Sequence, residues 1–212
     1  MSRSRTGAIE AERNEHQQGR SLKHSSTQAL YAYWNERRGA RAAPERAEIE
    51  PGAIRSSLGD SFILGSEVDR ASFRLAGTRV CSLFGRELKG EAFDALWEEV
   101  DRPAASDLLA IVANEVAGIV AGVTGTTSDG QSLDLELLLL PLRHRGTSQA
   151  RQIGVLAPLA LPYWLGASPL AVLALKSHRH VGPTLDSKPA TGFMAQERRQ
   201  RHGLLVYDGG RT

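Results

Sequence analysis

The 212-residue sequence has a single cysteine, Cys81. One thiol excludes an intrachain disulfide and any cysteine-rich zinc site, and it suits a reducing compartment, so a cytoplasmic location is expected. Charge of one sign is also missing: 26 Lys and Arg against 24 Asp and Glu leave a net charge of +2. So small an excess gives no ground for nucleic-acid binding, and no nucleic-acid partner is expected. The first 26 residues hold no apolar core segment and form no secretory signal. A paired-glycine phosphate loop, a Walker sequence, a nucleophile elbow and a zinc-protease motif are all absent. What remains is an ordinary globular composition, 41% apolar and 24% charged, sufficient for one buried domain with tails.

One uncharged stretch, residues 153–175 (IGVLAPLALPYWLGASPLAVLAL), is long enough to cross a bilayer as a helix. Pro158, Pro162 and Pro169, with Gly154 and Gly166, interrupt any such helix. Membrane helices tolerate proline where neighbouring spans satisfy the freed carbonyls, and the sequence offers no second span. IGVLAPL therefore predicts a strand, LPYWLGASP an aromatic-rich covering loop, and PLAVLALKSHRHVG a further strand or helix. No integral membrane association is expected. Tyr163 and Trp164 either pack inward or face a partner.

Residues 1–25 are polar and nearly free of large apolar side chains, which predicts a disordered tail. Residues 183–212 are expected to form a second, flexible tail, leaving residues 26–182 as the domain. SSTQALYAYWNERRGAR predicts a helix that Ser25, Ser26 or Thr27 can cap and Gly39 can end. Leu30, Tyr33, Trp34 and Arg37 make one stripe on it, which either packs on the domain or pairs with a second copy.

SFILGSEVDRASFRLAGT predicts an antiparallel hairpin, with Phe62 and Leu64 sharing one face and Phe73 and Leu75 sharing one face. RVCSLFGRELKGEAFDALWEEV, broken at Gly85 and Gly90, predicts short helices. Residues 107–120 predict a longer helix whose stripe is Leu108, Ile111, Val112, Glu115, Val116 and Ile119. GVTGTT and SLDLELLLLPL flank the turn SDG and predict two strands. In the second, Leu133, Leu135, Leu137 and Leu139 make one face apolar. Leu138 and Leu140 do the same to the other face, so something must cover it, and the aromatic N-terminal helix is the candidate. After the polar turn HRGTSQAR, QIGVLAPL supplies a fifth strand. Hairpins at both ends with helices between them make an α+β domain.

The strings YWNERRGARAAPERAEIEP, FRLAGTRVCSLFGREL, LELLLLPLRHRG and IGVLAPLALPYWLG together resemble the stand-alone PAS-domain family widespread in alphaproteobacteria, over residues 28–182. The resemblance implies a five-stranded antiparallel sheet with short helices on one face, a flanking N-terminal helix and a small cavity between sheet and helices. It also implies a cytoplasmic sensory or protein-interaction module, in a family with links to signalling and cell-cycle control, and it supplies no catalytic positions and no required cofactor. Cys81 sits in RVCSLFGR, which departs from the Asn-Cys-Arg-Phe-Leu string of flavin-binding relatives and argues against flavin photochemistry. In a PAS arrangement, Phe73, Leu75, Cys81, Phe84, Val112, Val116, Leu135, Leu137 and Val155 would line the cavity, which then suits an apolar ligand or stays filled by its own side chains.

His178 and His180 would share one strand face and, with His144, could hold a metal or haem. Lys176, Arg179 and Arg143 beside them favour a basic surface for an acidic partner. Arg74 and Glu136 could pair across strands. Glu115 and Glu136 are the carboxylates available to an enzyme, but neither has a partner acid or nucleophile in view. The leading expectation is a non-enzymatic signalling module that acts as a homodimer through Leu30, Tyr33, Trp34, Arg37, Tyr163 and Trp164 and contacts a further protein. A receptor for a small apolar ligand or haem is the alternative. Membranes washed with alkaline carbonate are expected to release the protein; retention would restore the membrane reading of residues 153–175.

Overall fold

In the computed structural model of the protein, the described residues are 22–66, 70–115, 117–144 and 147–182. The elements are α1 (Ser25–Arg38), β1 (Ser61–Ser66), β2 (Ala71–Ala76), α2 (Thr78–Phe84), α3 (Arg102–Glu115), β3 (Gly118–Thr127), β4 (Ser132–His144), β5 (Thr147–Pro158) and β6 (Leu170–Val181). Short 3₁₀ turns precede β1 and follow α2. All strand pairs are antiparallel, in one sheet of order β2-β1-β5-β4-β3-β6. Five of these strands are those expected. The sixth is the segment after the aromatic loop, which adds to the outer edge of β3.

The sheet is buried on both sides, and each side has its own core. Phe62, Leu64, Phe73, Leu135, Leu137, Leu139 and Leu156 face α2, α3 and the 3₁₀ turn Phe93–Leu96. Ile63, Val120, Leu138, Leu140, Ile153 and Val155 face α1, whose Leu30, Tyr31 and Trp34 complete that second core. The cover that the doubly apolar strand requires is therefore the N-terminal helix, as its sequence suggests. Pro141 fits β4 because it lies past Leu139, the last residue of that strand paired with β3, so its missing N–H leaves no gap in that ladder. Its carbonyl accepts a hydrogen bond from Trp34 Nε1 at 2.8 Å.

Two boundaries differ from the sequence reading. The helix expected over residues 107–120 runs instead over Arg102–Glu115, and Gly118 already belongs to β3. A side chain at Gly118 would strike Leu140 and the Val181 carbonyl, so this glycine permits close packing in the sheet where it had read as a weak helix end. The N-terminal tail, expected to reach residue 25, gives way earlier: Leu22 is buried in the second core. The expected tails at 1–21 and 183–212 lie outside the described residues. Gly39 at φ 53° and Gly130 at φ 84° end α1 and make the β3–β4 turn, as their positions predict.

Gly154 in β5 sits opposite Phe62 in β1, and an added Cβ would run into the Phe62 ring and the Leu138 carbonyl. Neither can retreat, because Phe62 is wedged against Phe73 and Phe93. Gly154→Ala is expected to destabilise the domain by about 1–3 kcal/mol, measured by denaturant unfolding; an unchanged midpoint would show that the aromatic cluster is loosely packed.

Candidate functional site

The interior between sheet and helices is filled chiefly by rings. Phe62, Phe73, Phe93 and Trp97 make a chain of contacts with centroids 5.5–6.2 Å apart. Of the expected lining residues, Phe73, Phe84, Val112, Leu135 and Leu137 do lie in this core. Cys81 packs at its margin, half-buried, and burial pushes its thiol up from its ordinary value, which suits an inert packing group. Val116 falls outside the described residues.

Leu75 and Val155 are corrections. A bulge between Ile63 and Leu64 sets Phe73 against Leu64 and Leu75 against Ile63, so Arg74 is the extra residue. The alternation that would put Phe73 and Leu75 on one face is broken there, and Leu75 is 46% exposed. In β5, Leu156 faces the ring cluster, so Val155 points the other way and packs under α1.

The outer face carries the polar chemistry. Glu136, in the middle of β4, is buried among leucines and points at the start of α1. Its carboxylate accepts from the backbone N–H of Lys23 and of His24, both at 2.8 Å, and from the Thr27 hydroxyl. An anion at a helix N-terminus satisfies orphan donors and meets the positive end of the helix dipole. His24 is the helix cap, and its Nδ1 accepts from the Ser26 N–H at 3.1 Å. Ser26 and Thr27, expected as caps, instead aim their hydroxyls at Asp60 and Glu136. Arg74 lies in β2, separated from β4 by β1 and β5, so the expected Arg74–Glu136 pair does not form.

Asp60 makes the second tie. It is buried just before β1, accepts the Ser26 hydroxyl, and receives Arg79 of α2 through Nε at 2.6 Å and Nη2 at 2.7 Å. Burial alone would raise its pKa. The hydrogen bonds from Arg79 and Ser26, with the Arg79 charge, outweigh that and hold the carboxyl below its ordinary value.

Leu30, Tyr33 and Trp34 are spent in this packing. All three are buried against their own sheet, which corrects their expected place on a dimer surface. Tyr33 is held by its hydroxyl, which donates to the Glu48 carbonyl and accepts from the Glu50 N–H. Arg37 lies over the Tyr33 ring at 5.2 Å. Trp164 packs inward with the ring cluster, whereas Tyr163 beside it is 97% exposed. His178 and His180 are exposed on β6, opposite Ala121 and Ile119 and hence on one face. No group of three potential metal ligands occurs among the described residues, and none of their helices is long and apolar enough to cross a membrane.

Beside the Asp60–Arg79 pair opens a cleft of about 460 Å³. One wall is polar, formed by His24, Ser25, Ser56, Arg79 and Ser82, and the other is Leu83, Pro158, Leu161 and Leu165. The loop after β5 thus wraps the start of α1, a neighbourhood that no motif in the sequence announces. A smaller recess of about 280 Å³ lies on the other side of that start, against Lys23, Glu136, Ser177 and Arg179.

A sheet of order β2-β1-β5-β4-β3 with short helices over one face is the arrangement of a PAS-type sensory domain. The chain belongs to the PAS-domain family, whose model matches residues 22–157. No curated protein matches it. Similar solved structures include a light-oxygen-voltage domain studied with a flavin analogue, 14% identical, TM-score 0.42, with 55% of this chain and 87% of that one covered. Another is the PAS domain of a protein from Colwellia psychrerythraea, 14% identical, TM-score 0.38, with 51% and 97% covered. An RNA-binding light-oxygen-voltage receptor is 18% identical, TM-score 0.38, with 55% and 34% covered. None of these transfers a ligand or partner to this chain.

Because the Asp60 carboxyl is depressed in the fold, its contribution to stability is complete well above the unfolded value of about 3.9 and is lost as pH falls through the lower folded value. Asp60→Asn is expected to lower the thermal midpoint at neutral pH and to flatten its decline between roughly pH 5 and pH 2. Thermal melts across that range check this; equally steep decline in both proteins would refute the role given to the pair.

Proposed function

We propose that the protein is a non-enzymatic sensory and protein-interaction module of cytoplasmic signal transduction or cell-cycle regulation, acting through protein contacts as a homodimer. The observation that carries this reading is the docking of α1 on the outer sheet face. The helix hides an apolar surface and is fixed at its start by two buried carboxylates, Glu136 and Asp60. Such an element has two arrangements available, docked on its own sheet or released with that surface bared for a partner. A catalytic role for Glu136 is a poor fit, since all its described bonds serve the helix start.

Receptor function is the second reading, and a specific pair of atoms favours it. Trp97 Nε1 and Gln152 Oε1 are buried with no hydrogen-bond partner among the described residues, and both belong to elements around the interior. Buried polar atoms without partners are uncommon and suit a bound group or water. An apolar ligand or haem retained by the purified protein would appear in native mass spectra and in the visible absorption spectrum, and a colourless protein of unliganded mass counts against this reading.

Glu136→Ala is expected to cost about 1–3 kcal/mol, the penalty for leaving buried donors unmet, and to speed hydrogen exchange along α1 while β4 stays protected. Cross-linked capture from cell lysate should then recover more of one defined partner with the variant than with the wild type. Equal exchange along α1 in both proteins removes the proposed release. Sedimentation at micromolar concentration checks the homodimer, and a monomer throughout removes it.

A further inference from the structure

The cleft of about 460 Å³ beside the Asp60–Arg79 pair has the size of a small-molecule site, and its polar wall offers donors. Asp60, the one carboxylate lining it among the described residues, is sunk at 4% exposure and is spent on the Ser26 hydroxyl and on Nε and Nη2 of Arg79. Arg79 itself is 58% exposed. Its Nη2 also reaches the Ser56 carbonyl at 3.1 Å, so Nη1 is the guanidinium nitrogen with no hydrogen-bond partner among the described residues. Bare backbone at Gly59 makes room for that nitrogen, since a Cβ there would stand 2.9 Å from it. On His24, Nδ1 is taken by the Ser26 N–H, which leaves the ring proton on Nε2. The hydroxyls of Ser25 and Ser56 complete the wall.

A guanidinium arm, an imidazole N–H and two hydroxyls, with the carboxylate already consumed, match a group that accepts hydrogen bonds and carries negative charge. The Asp60 charge offsets most of the Arg79 charge, so one negative charge is matched better than the two of a phosphate. The facing wall is Leu83, Pro158, Leu161 and Leu165, with no polar side chain among them, and Leu161 is 81% exposed. A free inorganic anion would leave that wall in water, whereas an anion carrying an apolar chain would cover it.

We propose that this cleft binds a small amphipathic carboxylate of the medium-chain fatty-acid class, with its head on Arg79 Nη1 and the Ser25 and Ser56 hydroxyls and its chain along Leu161 and Leu165. The site is separate from the ring-filled interior between sheet and helices, and it stands whether or not α1 is released in signalling. A ligand held there touches Ser25 of α1 on one side and the loop after β5 on the other, so it ties that loop to the start of the helix.

The test titrates the full chain, with isotope-labelled leucine methyl groups, with octanoate at neutral pH and follows the methyl resonances. The expected result is a saturable shift of Leu83, Leu161 and Leu165, with Kd on the order of millimolar, while Leu135 and Leu137 of the interior stay in place. Hexanoate should bind roughly tenfold more weakly, because each methylene removed from water contributes about fourfold. Acetate and octanol, which lack the chain or the charge, should each bind at least about tenfold more weakly than octanoate. Leu161→Asp and, separately, Arg79→Lys should each weaken octanoate at least about fivefold. The first changes an exposed side chain, so unchanged interior methyl resonances certify its fold. The second keeps a cation beside Asp60 and removes the Nη1 arm; if it does not fold, Leu161→Asp and the ligand series decide. No shift at the three cleft leucines at about tenfold the expected Kd, shifts centred on Leu135 and Leu137, octanol binding as well as octanoate, octyl phosphate binding more tightly, or an affinity indifferent to Leu161→Asp would each overturn the proposal.

Discussion

A carboxylate in the middle of a leucine strand sets the terms for the rest of this domain. Glu136 occupies a position at which β4 is covered on both faces, and an unpaired charge there would cost several kcal/mol. The start of α1 supplies the donors that offset that cost: two backbone N–H groups and the Thr27 hydroxyl, at the positive end of a helix dipole. The charge therefore fixes where the helix begins, and the helix direction then fixes where Leu30, Tyr31 and Trp34 fall on the sheet. Asp60 repeats the device at shorter range and brings α2 into the same arrangement through Arg79. An apolar residue at 136 would make the outer face stickier but less specific, since leucines alone do not select one helix register.

Much of this order can be read from local pattern, because its causes are local. The double apolar face of LELLLLPL requires a cover, and the aromatic stripe of α1 is the segment able to supply it. Gly39 and Gly130 mark a helix end and a turn because both need positive φ, and each is found there. Gly118 shows the limit of such reading: a glycine at a weak helix end and one at a tight strand contact look alike in sequence. Only the positions of Leu140 and Val181, far along the chain, separate the two.

The candidate site is less legible for the same reason. Glu136 meets residues 112 and 113 positions away, and Asp60 meets Ser26 at a separation of 34. Propensity and periodicity carry no information at that range. The bulge at Arg74 is subtler, because Phe73 and Leu75 satisfy strand alternation in sequence and only the inserted residue reverses the second of them. Val155 failed for a matching reason: a fully apolar strand gives no sign of which parity faces which core.

The uncharged run of residues 153–175 acquires its meaning from these two cores. Both faces of a central strand are buried, so β5 needs apolar residues at odd and even positions alike, whereas β6, at the sheet edge, sends Leu170 and Leu173 to the ring-side core alone. Between them the prolines hold the loop open, and Trp164 turns in to the ring cluster while Leu161 and Tyr163 stay out. Length and lack of charge alone could not distinguish this from a bilayer segment, but strand parity does. A sheet covered on both faces consumes apolar sequence at the rate a membrane helix does, and leaves over only what its loops cannot bury. Here that remainder sits beside the one place where the helix is held by charge, which makes the loop and the helix start a single surface.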